Sequence, residues 1–376
     1  MRMKEIKVCH LTSAHKAKDD RIFVKECISL AKAGYEVYII APDAENRVCD
    51  NVHFLGINSF KIKSSRVRRF VKVGRLVYQK AVELDADIYH LHDPELLLYG
   101  LKLKHRGKKV IFDSHEDVPN QILSKTWIPG LLRSFVARIY EIIEKRCITK
   151  FDGVITVNDI IANRLKKINS NVAIVTNYPV LEESRRLKDS CTSKERSICF
   201  AGNIKPDYMH HLILDVIDEI DDVKYYLAGS VSETYLDNLK HTPGWDKVVF
   251  KGFLNRKDLF ELYSVSMIGV ALHNYAPNVG GREGSLGIIK NFEIMMAGLP
   301  IVCTDFRVWK HIVQEEQCGI CVNPTNKEEI KEAITYLLNN PQIAFQMGKN
   351  GREAVKKKYN WGLQEPILFN FYERLV

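Results

Sequence analysis

Short runs rich in β-branched residues alternate with longer stretches of helical period along almost the whole chain, and this alternation stops once and then restarts. Alternation of this kind builds a parallel sheet covered on both faces, because parallel strands need a long return connection and a helix supplies it. In the first half, strands are expected at 7–11, 36–41, 52–57, 87–91, 109–113, 154–157 and 172–175, with helices at 22–33, 67–84, 95–105, 131–148 and 160–167. Residues 182–196 are polar and charged without an apolar period, as in a linker. Beyond them, strands at 197–201, 223–228, 247–251, 267–272, 300–304 and 319–322 alternate with helices at 209–219, 233–239, 257–263, 288–297 and 328–338. Two further helical patterns, 343–358 and 361–375, close the chain.

The expected architecture is therefore α/β, with two Rossmann-like domains facing a central cleft. The first spans 1–181 and the second 197–358, joined by the linker 182–196, and the terminal helix in 359–376 packs back on the first domain. In open α/β sheets ligands bind beyond the carboxyl ends of the strands, so the loops there are where chemistry is sought.

Composition narrows the class. The chain has 376 residues, 46% of them hydrophobic and 27% charged, the balance of a globular protein. No apolar run reaches the roughly 18 residues that span a bilayer. The charged start, Met1 to Lys7, leads straight into a strand and does not resemble a signal peptide, which points to the cytoplasm. Nine cysteines at irregular spacing are not a secreted disulfide framework. Cys318 and Cys321 have redox or zinc spacing, but no second ligand pair lies nearby, and core packing accounts for them. The net charge of +9 suits a polyanionic ligand or an anionic membrane surface. Nucleic acid is not expected, since no motif for it accompanies the charge. Arg66 to Leu84 carries Arg68, Lys72 and Arg75 on one helical face; that face is either simply solvated or an electrostatic contact with anionic lipid.

The most informative stretch is Gly280-Gly281-Arg282-Glu283-Gly284-Ser285-Leu286-Gly287, which opens directly into a helical run from Ile288 to Ala297. Glycines let backbone N–H groups approach an anion, and a helix N-terminus adds unpaired donors and positive partial charge. Lys290 in the first turn adds a cation. Glu293, further along, can accept hydrogen bonds from two adjacent hydroxyls. A diphosphate at Gly284–Gly287 and a ribose at Glu293 make the geometry of a nucleotide diphosphate. Plain packing is the competing account of such a loop.

The run from Lys290 through Asn291, Phe292 and Glu293 to Gly298-Leu299-Pro300 resembles the donor-site signature of retaining GT-B-fold glycosyltransferases, family 4 (glycosyltransferase group 1). Asp20-Arg21-Ile22-Phe23, His92-Asp93-Pro94-Glu95, Asp113-Ser114-His115-Glu116, Met347-Gly348 and Tyr359-Asn360-Trp361 extend the resemblance over nearly the whole chain. It implies sugar transfer from a nucleotide-sugar donor with retention of configuration, in bacterial cell-envelope or capsular polysaccharide synthesis, to an acceptor that can be lipid-linked. It implies no cofactor and no bound metal, and the Asp85-Ala86-Asp87 triplet, at the wrong end of its strand, offers no metal site. The implied catalytic residues are His115, after the fifth strand, and Lys290. The implied donor residues are Glu293, Lys205, Gly284, Ser285, Leu286 and Gly287. Arg21 and His92 are candidates on the acceptor side.

Two departures stand out. The family has two glutamates seven residues apart; the second corresponds to Glu293, but Ser285 stands at the first, with Glu283 as a substitute only if the loop shifts register. After the first strand of the second domain the family has an Arg and a Lys, where this chain has only Lys205, which can equally be a solvated lysine. Asp93 with Pro94 and Asp20 also read simply as helix caps. Three other readings remain: a nucleotide-sugar epimerase, a non-catalytic nucleotide-binding scaffold, and a nicotinamide-dependent dehydrogenase. The last is disfavoured because no glycine stands between Leu11 and Gly34.

Overall fold

The computed structural model describes residues 6–42, 44–57, 66–125, 128–182 and 194–376, with 66–70 described by backbone alone. They fall into two compact units, Met1–Asn177 with Leu363–Val376, and Tyr178–Gly362. Most of the expected linker lies outside the described residues, as does the side chain of Arg68.

The first unit is built on β1 (Lys7–Leu11), β2 (Glu36–Pro42), β3 (Arg47–Cys49), β4 (Val52–Ile57), β5 (Ile88–Leu91), β6 (Lys109–Ser114), β7 (Gly153–Thr156) and β8 (Val172–Ile174). Their order is β3-β4-β2-β1-β5-β6-β7-β8, parallel except for the antiparallel edge strand β3. His10 of β1 lies beside His90 of β5 in the register. The chain fills one side of β1 and then returns to fill the other, so the topological switch falls between β1 and β5. Around the sheet are α1 (Ile28–Lys32), α2 (Arg66–Leu84), α3 (Leu97–His105), α4 (Val118–Ser124), α5 (Gly130–Ile148) and α6 (Asp159–Leu165).

The second unit has β9 (Ser197–Ala201), β10 (Lys224–Ala228), β11 (Val248–Gly252), β12 (Ile268–Ala271), β13 (Ile301–Thr304) and β14 (Gly319–Val322), in the order β11-β10-β9-β12-β13-β14. Its helices are α7 (His210–Asp218), α8 (Glu233–Lys240), α9 (Arg256–Val265), α10 (Ile289–Met296), α11 (Arg307–Glu316), α12 (Lys327–Asn339) and α13 (Pro341–Lys357). Alternate strand residues enter opposite cores: Cys199, Ala201, Tyr226 and Cys303 one, Ile198, Phe200, Tyr225 and Val302 the other. Both faces are thus apolar, as a helix-covered parallel sheet requires. Here the switch falls between β9 and β12. The chain then returns to the first unit through α14 (Glu365–Glu373), where Tyr372 hydrogen-bonds His90.

Several local expectations are corrected. The helix expected at 22–33 begins as a π-helical segment, Asp20–Cys27, before α1, and its cap is Asp19, whose carboxylate accepts from the N–H groups of Arg21 and Ile22, rather than Asp20. Asp93 does not cap the turn that Pro94 opens, because its carboxylate is taken by Thr12, Ser13 and His15. The edge strand β3 and the helices α4 and α11 lie outside the expected set; β3 and α4 are too short to show a period. Cys318 is buried and Cys321 half-buried on β14, in the core-packing role expected of them.

The Gly298-Leu299-Pro300 turn shows why its partners in the sequence signature sit where they do. Gly298 ends α10 in the left-handed region at φ 72°, and Arg352 donates to the carbonyls of Met296 and Ala297 just before it. Gly348 of α13 lies so close to this turn that a Cβ on it would come within 2.1 Å of the Gly298 carbonyl oxygen. In an isolated helix Gly→Ala stabilises by about 1 kcal/mol. Gly348→Ala is instead expected to destabilise the protein by about 1–3 kcal/mol, as overpacking does. Thermal unfolding of the two proteins checks the sign.

Candidate active site

In the second unit, the residues expected to bind a donor gather around the start of α10. Ile288 occupies the cap position and offers no side-chain acceptor to the first-turn N–H groups, of which that of Ile289 is bonded to the Gly287 carbonyl. Gly284 is left-handed at φ 78°, and any Cβ there would lie 2.4 Å from Cβ of Phe306. Ser285 is buried; its hydroxyl accepts the Gly287 N–H at 3.0 Å and its carbonyl accepts the Trp309 indole N–H at 3.1 Å. Leu286 packs on the core, while Gly287 is exposed. Glu283 pairs with Arg307 at the surface, 3.2 Å away, and its carbonyl accepts the N–H of Val308. Ser285 therefore shapes the loop, and α11 holds Glu283 in the present register.

Lys290 and Glu293 are brought together. Lys290 Nζ lies 3.1 Å from one carboxylate oxygen of Glu293, and the Arg256 guanidinium lies 3.1 Å from the other. Burial opposes ionisation of Glu293, but the two cations outweigh it and hold its carboxyl down at about 2. The Lys290 side chain runs across Gly202 at the end of β9, where a Cβ would meet Lys290 Cε at 2.5 Å. Gly229, at the end of β10, in turn touches Gly202, since a Cβ on it would lie 1.6 Å from the Gly202 carbonyl oxygen. Two bare backbones, two cations and a carboxylate thus meet near the switch between β9 and β12. Lys205 stands apart from this group as an exposed residue ahead of the turn Pro206–Tyr208. Arg256 was not among the residues expected here. It is the first residue of α9, just past the carboxyl end of β11, and that position was its signal in the sequence.

In the first unit, Asp113 at the end of β6 is fully buried and binds Arg21 through both carboxylate oxygens, at 2.8 and 2.9 Å. Arg21 also reaches Glu26 at 3.0 Å and the Val175 carbonyl at 3.0 Å. His92 is buried between Asp113, at 3.1 Å, and His10, at 2.8 Å. Arg21 and His92, expected on the acceptor side, are therefore interior groups committed to neighbours, because each neutralises or orients a buried carboxylate. His115 differs: its side chain keeps 17% of its surface exposed, and Nδ1 lies 3.4 Å from Asp113. Burial lowers its pKa, but Asp113 more than compensates and raises it. Beside it, at a ring distance of 5.2 Å, stands His15, on the loop after β1 and outside the expected set. Burial again opposes, but Asp93 at 2.9 Å lifts the His15 pKa to about 9. The surface here presents two imidazoles, each backed by a buried carboxylate.

Comparison with known proteins gives the family. A model of the glycosyl transferases group 1 matches residues 184–354, and a model of glycosyltransferase family 4 matches residues 24–178. The chain belongs to this glycosyltransferase family. Among its relatives is the spore coat protein SA of Bacillus subtilis, 24% identical over 61% of this chain and 66% of that one, just under two thirds of its length. Another is a phosphatidyl-myo-inositol mannosyltransferase of Mycobacterium leprae, 24% identical over 83% of this chain and 77% of that one. In fold it is similar to Anabaena Alr3699/HepE, solved in complex with UDP and glucose, with a TM-score of 0.73 at 12% identity over 98% of this chain and 100% of that one. The architecture is that of the GT-B glycosyltransferases, and the protein is an enzyme of that class. These relatives give no support to an epimerase or a scaffold.

The Glu293 trio has a pH signature. Its folded carboxyl sits near 2 against an ordinary 4.5, so the trio contributes stability above pH 4.5 that is lost as pH falls toward 2. The glycosyltransferase should therefore exceed its Glu293→Gln variant in stability by a margin that is constant near neutrality and shrinks below about pH 4.5. Unfolding measured across that range checks it; a margin indifferent to acid would mean that Glu293 is not held ionised.

Proposed function

We propose that this glycosyltransferase moves a sugar, with retention of anomeric configuration, from a nucleotide-diphosphate donor to a cell-surface acceptor. The observation that carries the reading is the buried Glu293 flanked by Lys290 and Arg256 near the N-terminus of α10, whose cap residue Ile288 offers no side-chain acceptor. In this reading Glu293 accepts the ribose hydroxyls. The first-turn N–H groups of α10 and the two cations receive the diphosphate, with Lys205 as a further cation on the adjacent loop. Chemistry is substitution at the anomeric carbon: the bond to the diphosphate oxygen breaks and a bond to an acceptor oxygen forms. The leaving group gains negative charge as it departs, so fixed donors and cations lower the barrier without having to reorganise. A uridine diphosphate donor is supported by the UDP in the Anabaena structure. His115 is assigned to the donor sugar, because its ring is partly exposed and lies 3.4 Å from Asp113, whose charge raises its pKa.

Two expectations follow. Glu293→Ala should weaken binding of free UDP as well as of the full donor, by roughly tenfold for about 1.4 kcal/mol of lost hydrogen bonding; unchanged UDP affinity in calorimetry would remove Glu293 from the site. His115→Ala should lower turnover sharply while leaving UDP affinity nearly intact. Ser285→Ala should cost little, since only the bond to Gly287 is lost. The reverse pattern would overturn the placement of the sugar.

A lipid-linked acceptor is supported by the name of the Mycobacterium leprae relative and by the surface of α5. Leu131, Phe135 and Ile142 are 98%, 63% and 62% exposed along that helix, and the basic residues Arg138, Lys145 and Arg146 are exposed beside them. Amphipathic helices of this kind lie in the headgroup region of anionic bilayers. On the helix expected to do this, α2, the apolar face of Val73, Val77 and Ala81 is buried, leaving Lys72 and Arg75 on an ordinary solvated side. Among the described residues no helix is long and apolar enough to cross a membrane. The double variant Phe135→Glu, Ile142→Glu should lose most of its binding to vesicles containing anionic lipid while Lys72→Glu, Arg75→Glu loses little. Cosedimentation with such vesicles separates the two helices, and equal retention of both variants would remove α5 from the membrane.

A further inference from the structure

Behind the Arg21–Asp113 pair, the first unit gathers a second group of side chains that the transfer reaction does not use. His10 lies within the buried part of β1, His90 lies on β5 and His92 just beyond its end, and Glu26 lies on the π-helical segment after β1. Strand alternation and the β1–β5 register put the three imidazoles on one side of the sheet, facing the carboxylate. All four residues are at most 1% exposed.

We propose that His10, Glu26, His90 and His92 form a structural binding site for one zinc-like divalent transition-metal ion. The spacing carries the inference. One oxygen of Glu26 lies 3.8 Å from His10 Nδ1, 3.7 Å from His90 Nδ1 and 3.9 Å from His92 Nε2. These separations are too long for hydrogen bonds and too short to seat a water bonded to both groups. They suit two bonds of about 2 Å meeting at one ion. With the 2.8 Å between His10 Nδ1 and His92 Nε2, the carboxylate oxygen and these two nitrogens all lie about 2.1 Å from a common point, the length of a zinc–nitrogen bond. One Glu26 oxygen pairs with Arg21, but the oxygen that faces the imidazoles has no hydrogen-bond partner among the described residues, although burial makes an unsatisfied acceptor costly.

The surroundings match a metal site as well. His92 Nδ1 faces Asp113 at 3.1 Å, and Arg21 clamps that carboxylate. Donation from Nδ1 to Asp113 leaves the Nε2 lone pair turned inward, as carboxylate-backed metal ligands arrange it. Tyr372 lies 2.8 Å from His90 Nδ1, so His90 joins the ion only by giving up that hydrogen bond. Three neutral imidazoles and one carboxylate bring a single negative charge to a divalent ion, with ligand types that suit zinc. The ion would pin the π-helical segment to the ends of β1 and β5 and so set the position of Asp113, leaving the transfer chemistry to other groups.

The test uses the full chain without an affinity tag, expressed with zinc present and passed through gel filtration in metal-free buffer. Elemental analysis by mass spectrometry should find about one zinc per chain, and Glu26→Gln and His92→Gln should each fall well below it. Chelator-treated wild type should gain roughly 5 °C or more in unfolding temperature when zinc is returned in large excess over its dissociation constant. If either variant fails to fold, the wild-type stoichiometry and the zinc-dependent shift still decide. Wild type carrying no zinc and unmoved by its addition overturns the proposal. So does a zinc content that the two variants share, which would place the metal elsewhere.

Discussion

The buried ion pair between Arg21 and Asp113 is the interaction on which the first unit's chemistry rests. Asp113 terminates β6, and its two oxygens serve Arg21, His92 and His115 together. Arg21 in turn reaches Glu26 on its own helix and the Val175 carbonyl just beyond β8. One guanidinium thus joins three neighbouring regions of the sheet's carboxyl edge. Breaking such a pair from one side leaves an uncompensated interior charge, a cost of about 3–5 kcal/mol. A buried pair of this kind is poor value as stability alone, since apolar side chains would serve. What it supplies is orientation: with Asp113 fixed, the one partly exposed imidazole bonded to it is fixed too.

The second unit solves a similar problem with a different degree of exposure. Glu293 also sits near a topological switch and also holds two nitrogen bases, but Lys290 and Arg256 keep 27% and 36% of their side-chain surface in solvent. Asp113 has none. The difference decides what each carboxylate can do. The first is part of the architecture and cannot exchange partners without unfolding its surroundings. The second has cations that a ligand can reach, and a shaped backbone beside them, where Gly202 and Gly229 leave no room for a Cβ. On the proposed reading, ligand exchange falls to the second site, and the first holds His115 toward the donor sugar.

Much of this was legible in the sequence. Runs of β-favouring residues bounded by turn residues are a local signal, so β1, β4, β9 and β14 begin and end where the residue pattern does. The glycine loop, Lys290 and Glu293 were legible because a helix start and its first two turns are local, and spacing alone brings them together. Arg256 was not, because it comes from a helix 37 residues earlier in the chain and meets Glu293 only once the sheet is assembled. Arg21 and His92 were misleading for the opposite reason. Charged residues are normally exposed unless they are paired, and no single-residue pattern shows pairing across 92 positions. The π-helical segment adds to this, since an α-helical period assigns its side chains to the wrong faces.

Charge balance explains how Ser285 fits a donor site that lacks the family's first glutamate. A carboxylate has about four acceptor positions, and Glu293 gives one to Lys290 and one to Arg256. On the proposed reading two remain, enough for both hydroxyls of a ribose, so nucleotide binding does not require the cations to let go. The trio as it stands carries one net positive charge. A glutamate at position 285 would cancel it and would also lose the hydroxyl that holds the Gly287 N–H. With serine there, the loop keeps its shape and the site keeps its excess of positive charge, which favours the diphosphate over any particular sugar hydroxyl. On the proposed reading, the substitution shifts the work of the site toward holding the leaving group, and leaves the choice of sugar to groups outside the glycine loop.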